Sequence, residues 1–504
     1  SLPMSMIPPR RSDPGSALSD VAGRPSVSHA KDDGRRILIA APPPTCHGRP
    51  MLQQVTLPLW ALLLILAFAA VTFASHFLFP SVRWFFRRRA ERAVAELNRR
   101  LATPIQPFKL ARRHDMVMRL SYDSHVMEAV QIEAQREGIP ENVAFQRARA
   151  YAREIVPAFS ATAYFSIAIR LARWTANALY DVRLQVIDDA ALRAIPSDAT
   201  VVFVMNHRSN MDYVLVTYLV AERSALSYAV GEWARIWPLS ALVRSMGAYF
   251  IRRRHRGQLY RRVLARYVQM AAQAGVTQAL FPEGGLSLDG RLAAPKLGLL
   301  SYIRDGAAAG GRAAVFIPVA LNYDRVLEDR VLLAAAASGE RRFRARPHTI
   351  VGFALKMLGL RLRGRFRGFG RAGVTIGRPL TLSDAPASAE GLAAELMARI
   401  ADAMPQLPLP LVARALVEAD GPVPRPALIA TLRAWTGEDS PDSAETLASE
   451  GLAQARVRGL IQEGPDGIAP VPAQAPLLRY YAASIEPSGP GSLPRPEKTL
   501  ELAT

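Results

Sequence analysis

Cysteine is nearly absent from the sequence, since Cys46 is the only one among 504 residues. A single cysteine excludes an intrachain disulfide and any zinc site built on cysteine ligands. The eight histidines show no H-E-x-x-H or other metal-ligand spacing, and no G-x-S-x-G nucleophile motif occurs. The sequence therefore predicts a fold without disulfides, a reducing setting for most of the chain, and no metal or cofactor.

Charged side chains are missing from Pro50 to Val82. The apolar core of this stretch, Leu57 to Phe79, is long enough to cross about 30 Å of hydrocarbon as a helix. Arginines at 83 and 87–89 follow it, which by the positive-inside rule favours a cytoplasmic location for the downstream chain. We predict one transmembrane anchor at residues 51–82 in the inner membrane. A cleaved signal peptide and a buried soluble helix are less favoured, because the apolar run is long and arginines occupy the cleavage position.

Acidic residues are outnumbered, with 43 Asp and Glu against 63 Lys and Arg, a net charge of +20 and a pI of about 10.7. Such an excess favours an anionic partner. Nucleic acid, anionic lipid, a phosphorylated substrate and an acidic carrier protein all fit, and composition alone leaves the choice open.

The pattern of apolar residues divides the rest of the chain. Strand-like and helical segments alternate in residues 181–382, which predicts an α/β domain with a central mixed sheet flanked by helices. Helical periodicity dominates the segments on either side of it. The predicted division is a disordered or non-native extension at 1–50 (Met51 being an alternative start), the anchor, a helical domain at 90–180, the α/β domain, a helical region at 383–482 and a disordered tail at 483–504.

The most informative motif is "NHRSNMDY", residues 206–213, directly after the strand-like "TVVFVM". A helix starting near Asn210 would place Asp212 in its first turn, where its carboxylate can meet the imidazole of His207. Such a pair suits general-base chemistry, because the carboxylate fixes the tautomer and stabilises the imidazolium. The alternative is a structural loop histidine beside an aspartate that interacts with the helix dipole. An isolated H-x4-D would favour that alternative.

Three further motifs follow strand-like segments. "GAYFI" leads into Arg252 and Arg253, and arginine suits bidentate phosphate recognition. "VTQALFP" leads into Glu283, Gly284 and Gly285, a tight turn whose backbone N–H groups can face an anion, with Lys296 further on. "VFIPVALNYDRV" carries Pro318, which predicts an edge strand or a bulge.

Two basic segments invite other interpretations. "GFGRAG" at 368–373 precedes a strand, the reverse of a dinucleotide-binding fingerprint. "KMLGLRLRGRFRGFGR" at 356–371 interleaves arginines with leucines and phenylalanines, as a single-stranded nucleic-acid site does. A membrane anchor in the same chain favours a lipid-surface loop instead, so nucleic acid is the least favoured partner.

The order N-H-R-S-x-M-D, G-A-x-F-I-R-R, F-x-E-G-G-x-S and I-P-V-A resembles the glycerolipid acyltransferases, and the blocks are similar to those of the bacterial membrane-bound glycerol-3-phosphate acyltransferases. "QLYRRVLARYV", "PKLGLLSYIRDGA" and "LLRYYAASI" extend the resemblance over roughly residues 110–482. It implies His207 as catalytic base with Asp212 as its partner. It also implies that Arg252 and Arg253 hold the glycerol phosphate. Binding residues in the same pocket would be Glu283, Gly284, Gly285, Lys296 and, on the acyl-donor side, Pro318.

One departure from the family pattern concerns the acceptor. The third block usually reads E-G-G-x-S-R-x-G, and here Leu288 replaces the arginine, while Leu286 stands where arginine is also common. Arg291 or Lys296 can substitute for the missing charge. Pro282, after Phe281, is similar to the related lysophosphatidate acyltransferases.

The resemblance implies acyl transfer from acyl-CoA or acyl carrier protein to the sn-1 hydroxyl of glycerol 3-phosphate in phospholipid synthesis. It implies no cofactor beyond the thioester co-substrate. The expected partners are anionic membrane lipids, glycerol 3-phosphate and the acyl donor. The alternatives are a lysophosphatidate acyltransferase and an inactive membrane-bound scaffold that binds lipid.

Overall fold

The computed structural model describes residues 58–220, 224–231, 234, 239–252, 257–338, 359, 363, 368–437, 441–486 and 499–500. The predicted extension at 1–50 and most of the basic segment at 356–371 lie outside these residues. The chain divides into two units, Ser1–Pro80 and Ser81–Thr504.

The first helix, α1, runs from Leu59 to Arg100. Apolar side chains in its first turns are exposed, among them Trp60 and Phe68. Within the part of the chain that the structure describes, no helix has the length and apolar character needed to cross a membrane. The transmembrane anchor predicted at residues 51–82 is therefore not supported.

Short helices follow α1 and lead to the sheet. Asp123 caps α4 by accepting a hydrogen bond from the His125 N–H, and Gly138 ends it in the left-handed conformation at φ +62°. Pro140 then precedes α5, with Glu141 in its first turn. The helices are α2 Pro107–Leu110, α3 Arg113–Ser121, α4 Ser124–Glu137, α5 Glu141–Ile155 and α6 Ile169–Leu179, the last continuing a π-helical segment Ala163–Ala168.

A mixed sheet forms the centre of the second unit, which confirms the predicted α/β class. In spatial order its path is β11-β1-β7-β6-β2-β5-β3-β4, and β8 also pairs with β6. The strands are β1 Asp181–Val186, β2 Thr200–Met205, β3 Ser227–Val230, β4 Tyr249–Phe250, β5 Gln278–Leu280, β6 Ala314–Tyr323, β7 Arg371–Ile376, β8 Leu380–Thr381 and β11 Thr499–Leu500, with a separate hairpin of β9 Ile461–Gly464 and β10 Gly467–Pro470.

Helices connect and cover these strands. In the second unit they are α7 Asp189–Arg193, α8 Met211–Val220, α9 Leu239–Ser245, α10 Gln258–Gln273, α11 Leu297–Ala309, α12 Asp329–Ser338, α13 Ala389–Asp402, α14 Pro408–Glu418, α15 Arg425–Thr436, α16 Ala444–Val457 and α17 Ala475–Ala482, with 3₁₀ turns at Pro472–Gln474 and Ala483–Ile485.

The strands β6, β2, β5, β3 and β4 are parallel to one another. Their carboxyl ends therefore meet at one edge of the sheet, where open α/β sheets commonly bind ligands. All four sequence motifs follow or end these strands. The topology thus collects at one edge loops that lie more than a hundred residues apart in the chain.

The prediction that Pro318 marks an edge strand is wrong, whereas the pairing on one side of it is irregular, with Phe316 opposite Leu380 and Val319 opposite Ile376. β6 is a central strand, with β2 on one side and β7 and β8 on the other. The Pro318 carbonyl accepts a hydrogen bond from the Gly377 N–H at 2.8 Å, so the proline nitrogen faces the same side of the strand. On that side, Pro318 lies opposite the gap between the end of β7 and the start of β8. The N–H group that proline lacks would have no regular ladder partner there.

Asp324, directly after β6, holds two distant segments together. Its carboxylate accepts hydrogen bonds from the backbone N–H groups of Arg371 at 2.7 Å and Leu409 at 2.8 Å. Burial raises the pKa of this carboxyl to about 7, although both hydrogen bonds act to lower it. The folded protein thus retains a proton here at pH values where the unfolded chain has lost it.

We therefore expect the free energy of unfolding to fall as pH rises from about 4 to 7, by up to about 1.4 kcal/mol per pH unit from this group. Asp324→Asn should remove that part of the slope, measured by chemical denaturation at pH 5, 6 and 7. Asp420→Asn, at an exposed aspartate, is the matched control and should leave the slope unchanged. An unchanged slope in Asp324→Asn would contradict the assignment.

Candidate active site

His207 lies on the loop between β2 and α8, and Asp212 lies in the first turn of α8. The His207 Nδ1 is 2.8 Å from the Asp212 Oδ2, and only 2% of the His207 surface is exposed. A carboxylate can only accept here, so in the neutral form of the imidazole Nδ1 carries the proton and Nε2 has the lone pair. The geometry therefore leaves one basic nitrogen for a hydroxyl of a bound molecule.

The Asp212 carboxylate is held by three more donors. Its Oδ2 accepts hydrogen bonds from the backbone N–H groups of Arg208 at 2.7 Å and Ser209 at 3.1 Å. Its Oδ1 accepts one from the Tyr323 hydroxyl at 2.5 Å. Burial, followed by the negative charge of Asp212, raises the pKa of Tyr323 well above its usual value. Tyr323 thus stays a neutral donor, and the carboxylate is fixed in place.

Aromatic rings surround the imidazole. The Phe281 ring stacks on it with centroids 4.1 Å apart and planes 25° apart. The Tyr213 ring meets it edge-on at 5.5 Å. These rings restrict the imidazole to one orientation, so the tautomer set by Asp212 also has a fixed direction.

Glu283 stabilises the backbone around His207. Its Oε1 accepts a hydrogen bond from the His207 N–H at 2.8 Å, and its Oε2 accepts one from the Ala293 N–H at 3.0 Å. Burial raises the pKa of this carboxyl. Glu283 therefore joins two loops, and its described contacts are with backbone groups.

Lys296 lies against the glycine turn. Gly284 has φ +66°, and a Cβ added there would come 2.7 Å from the Lys296 Cδ and 3.0 Å from its Nζ. Lys296 caps α11, and its N–H donates to the Pro282 carbonyl at 2.8 Å. Gly285 is half-buried beside it. The turn thus brings one ammonium group to the loop that follows β5.

Leu288 and Arg291 differ in their surroundings. Leu288 is half-buried and packs against the hydrophobic core, so no cation occupies the position where the family pattern has arginine. The Arg291 guanidinium pairs with Glu486, with Nε 2.8 Å from Oε2, and both side chains are largely exposed. The guanidinium that the sequence offers as a substitute is engaged by an exposed carboxylate.

Among the described residues, no contact links Arg252 to His207. Its guanidinium binds the carboxylate of Glu154 on α5, with Nε 2.9 Å from Oε1 and Nη2 2.6 Å from Oε2. It follows β4, and β5 and β3 separate β4 from β2. Arg253 lies outside the described residues.

Sequence reasoning missed Glu328, which lies just before α12. Its Oε2 accepts a hydrogen bond from the Ser209 hydroxyl at 2.7 Å, and its Oε1 accepts one from the Asn210 side-chain amide at 3.0 Å. Burial raises its pKa. The acidic side chains of this site bind loop donors, and no group of three or more potential ligands within the described residues is arranged for a metal ion.

An apolar cavity of about 200 Å³ adjoins the His207 loop. It lies among α6, α8, α9 and β3, and Asn210 and Tyr213 line it on the side of the loop. Other lining side chains are Leu171, Val214, Tyr228 and Met246. Tyr213 both lines the cavity and contacts the His207 ring, so this side chain lies between the cavity and the imidazole.

Comparison with known proteins bears on this geometry. Residues 186–322 match the family model described as Acyltransferase. The chain is 32% identical over 302 residues to a glycerol-3-phosphate acyltransferase of Pseudomonas entomophila, covering 59% of this chain and 35% of that protein. It is 32% identical over 285 residues to one of Aeromonas hydrophila, covering 55% and 33%. The chain thus spans about a third of the length of these relatives.

A solved structure is also similar, that of a 1-acyl-sn-glycerophosphate acyltransferase from Thermotoga maritima. The identity is 19%, the TM-score is 0.30, and the match covers 46% of this chain and 73% of that one. The family match begins at the end of β1 and ends in β6, and it contains the His207 loop and the glycine turn. Residues 186–322 therefore match the Acyltransferase family over the part of the chain that holds the His207–Asp212 pair.

Proposed function

We propose that the protein transfers an acyl group from acyl-CoA or acyl carrier protein to the sn-1 hydroxyl of glycerol 3-phosphate, with His207 as general base. The observation that carries this proposal is the buried His207–Asp212 pair beside an apolar cavity. The acceptor is taken from the names of the relatives, and the excess of basic residues suits an acidic carrier protein.

The chemistry needs one proton acceptor and no covalent intermediate. The His207 Nε2 takes the proton of the acceptor hydroxyl while the oxygen of that hydroxyl attacks the thioester carbonyl carbon. The tetrahedral intermediate collapses, the C–S bond breaks, and the proton passes from the imidazolium to the leaving thiolate. Asp212 stabilises the imidazolium during this step. An ester and a free thiol are the products.

The apolar cavity suits the acyl chain of the donor. Each methylene that moves from water into such a site contributes about 0.8 kcal/mol. Tyr213 borders both the cavity and His207, so a chain held there would bring its thioester towards the imidazole. Pro318, the proline of the I-P-V-A block on β6, is assigned to the donor side only by the resemblance.

The acceptor phosphate requires a cation near the glycine turn, and Lys296 is the best placed in the described loop. A charge-assisted contact contributes about 1.5–3 kcal/mol, so Lys296→Ala should raise the KM for glycerol 3-phosphate by about ten- to a hundred-fold. The donor KM should change little. Arg291→Ala should have a smaller effect because Glu486 already engages its guanidinium.

Leu288→Arg is the companion variant and should add little activity. Steady-state kinetics with each substrate varied in turn give the required constants. If both alanine variants bind glycerol 3-phosphate like the parent and Leu288→Arg gains an activity, the natural acceptor is another molecule. General-base acyl transfer would survive that result.

Lysophosphatidate is the second candidate acceptor. Leu288 packs in the core where the family pattern has a cation, and Pro282 follows Phe281. The deciding assay crosses glycerol 3-phosphate and lysophosphatidate with acyl-CoA and acyl carrier protein thioesters. Turnover with glycerol 3-phosphate supports the first proposal, and turnover with lysophosphatidate alone supports the second. An inactive scaffold would turn over neither acceptor.

We further propose that α6 contacts an anionic membrane surface. Ile167, Leu171 and Trp174 lie one helical turn apart and are 58%, 47% and 65% exposed. Arg170 and Arg173, on the same helix, are exposed as well. Apolar side chains flanked by cations are typical of helices that lie in a membrane interface. Leu171 also lines the cavity, so this face would place the cavity close to lipid.

Replacement of Trp174 by glutamate should weaken binding to phosphatidylglycerol vesicles by about ten-fold, since an apolar anchor becomes an anion. Co-sedimentation with vesicles measures the effect. Val457→Glu, at a similarly exposed valine on α16, is the matched control and should bind like the parent. Equal binding by both variants would exclude α6 as the lipid contact.

A further inference from the structure

The C-terminal strap, defined as residues 475–486, lies outside the residues that match the family model. It consists of α17, the 3₁₀ turn Ala483–Ile485 and Glu486. We propose that this strap completes the acyltransferase site and that Arg208 is the positioning residue that joins it to the His207 loop. The kinetic part of this proposal rests on the proposed acyl transfer.

Arg208 makes the first connection. Only 2% of its surface is exposed, although it carries a guanidinium. Its Nη1 donates to the Gly290 carbonyl, and its Nη2 donates to the Ser484 carbonyl at 3.1 Å. Its own backbone N–H donates to the Asp212 Oδ2 at 2.7 Å. One residue therefore connects the carboxylate partner of His207 with the glycine-turn loop and with the strap.

Gly290 makes the second connection. It has φ +89°, and a Cβ added there would overlap the carbonyl oxygen of Tyr480 in the strap. Its N–H donates to the Ser287 hydroxyl at 3.1 Å, and the Ser287 N–H donates to the His207 carbonyl at 2.9 Å. The strap thus packs against Gly290, which two hydrogen bonds through Ser287 connect to the backbone of His207.

The third connection is at the end of β6. The Asn322 side-chain amide donates to the Ser484 hydroxyl at 3.2 Å, and Tyr323, the next residue, donates to Asp212. The Tyr481 hydroxyl accepts from the Val326 N–H at 3.0 Å and donates to Asp329 at 2.6 Å. The strap therefore contacts the His207 loop, the glycine-turn loop and the end of β6, which carries the hydroxyl donor to Asp212.

The contacts of the Arg208 guanidinium favour a positioning role for this residue over a substrate-binding role. Both described acceptors of the Arg208 guanidinium are backbone carbonyls. A phosphate ligand would instead direct its guanidinium at the substrate. Loss of Arg208 should therefore affect the rate of the chemical step more than the affinity for the acceptor.

The test uses the full chain with Arg208→Lys, which keeps the charge but loses the forked donor geometry. We expect kcat to fall by about ten- to a hundred-fold, with the acceptor KM within about three-fold of the parent. Amide hydrogen exchange should accelerate together at residues 480–486 and 287–291, and this readout does not depend on acyl transfer. Arg113→Lys is the matched control, because Arg113 also donates to two carbonyls, those of Arg153 and Val156.

Ser484→Ala is a milder second variant. It removes only the two contacts of the Ser484 hydroxyl, one with Asn322 on β6 and one with the Tyr481 carbonyl inside the strap. It should accelerate exchange in the strap and lower kcat by several-fold, even if Arg208→Lys does not fold. Faster exchange in the strap with an unchanged kcat would make the strap structural only and overturn the proposal. A raised acceptor KM with kcat preserved would make Arg208 a binding residue and overturn it too. Unchanged exchange in both variants would show that the strap is not coupled to the loop.

Discussion

Replacement of His207 by alanine should lower kcat by about 10²- to 10⁴-fold, the usual contribution of a positioned general base. The imidazole is buried, held by Asp212 and stacked on Phe281, so its orientation is fixed before any substrate binds. Its loss removes the proposed base while leaving the glycine turn and the cavity in place. Thioester cleavage with saturating acceptor measures the effect, and circular dichroism checks the fold.

His207→Asn is the matched variant, because its side-chain amide can still donate to Asp212 but offers no basic nitrogen. It should be as inactive as the alanine variant while losing less stability. Near-normal turnover in either folded variant would exclude His207 as the base. A loss confined to His207→Ala would show that the imidazole only supports the loop.

The second large effect is expected from Asp212→Asn, with kcat lower by about 10³- to 10⁴-fold because the imidazole can adopt the wrong tautomer. In Asp212→Asn, one carboxylate oxygen is replaced by an NH₂ group, and the Asp212 Oδ2 accepts hydrogen bonds from the backbone N–H groups of Arg208 and Ser209. Either orientation loses acceptors, so the variant should also be less stable. Kinetics and thermal unfolding on the same preparation separate the two losses.

Tyr323→Phe is the graded control for that experiment. It removes one donor from the carboxylate and keeps the acceptor for the His207 Nδ1–H. A loss of about ten-fold is expected from one charged hydrogen bond, far smaller than that of Asp212→Asn. Equal losses in the two variants would contradict the role assigned to the tautomer.

The local sequence pattern was sufficient to predict those features that depend on residues close together in the chain. The end of an apolar strand followed by a short loop and a helix placed His207 and Asp212 together within six residues of chain. The alternation of strands and helices indicated the mixed α/β sheet. Gly138 ends α4 and Pro140 precedes α5, positions that suit the backbone conformations these two residue types favour.

Pairings between distant segments were beyond such reasoning. Tyr323 meets Asp212 across 111 residues, and Arg252 meets Glu154 across 98. Each depends on strand order and on helix packing, which a single sequence does not specify. The rule that proline belongs to edge strands failed at Pro318, because two short strands share one side of β6 and leave a gap between them.

The crowding of donors around Asp212 limits where a proton can travel. Four hydrogen-bond donors already converge on this carboxylate: the imidazole, two backbone N–H groups and a tyrosine hydroxyl. The lone pairs of both carboxylate oxygens are thus engaged by donors that the fold supplies. In the proposed mechanism, the proton that His207 takes would therefore stay on the imidazole until the thiolate leaves. Each turnover then moves a single proton on and off one nitrogen. The turnover rate should therefore vary linearly with the deuterium fraction of the solvent.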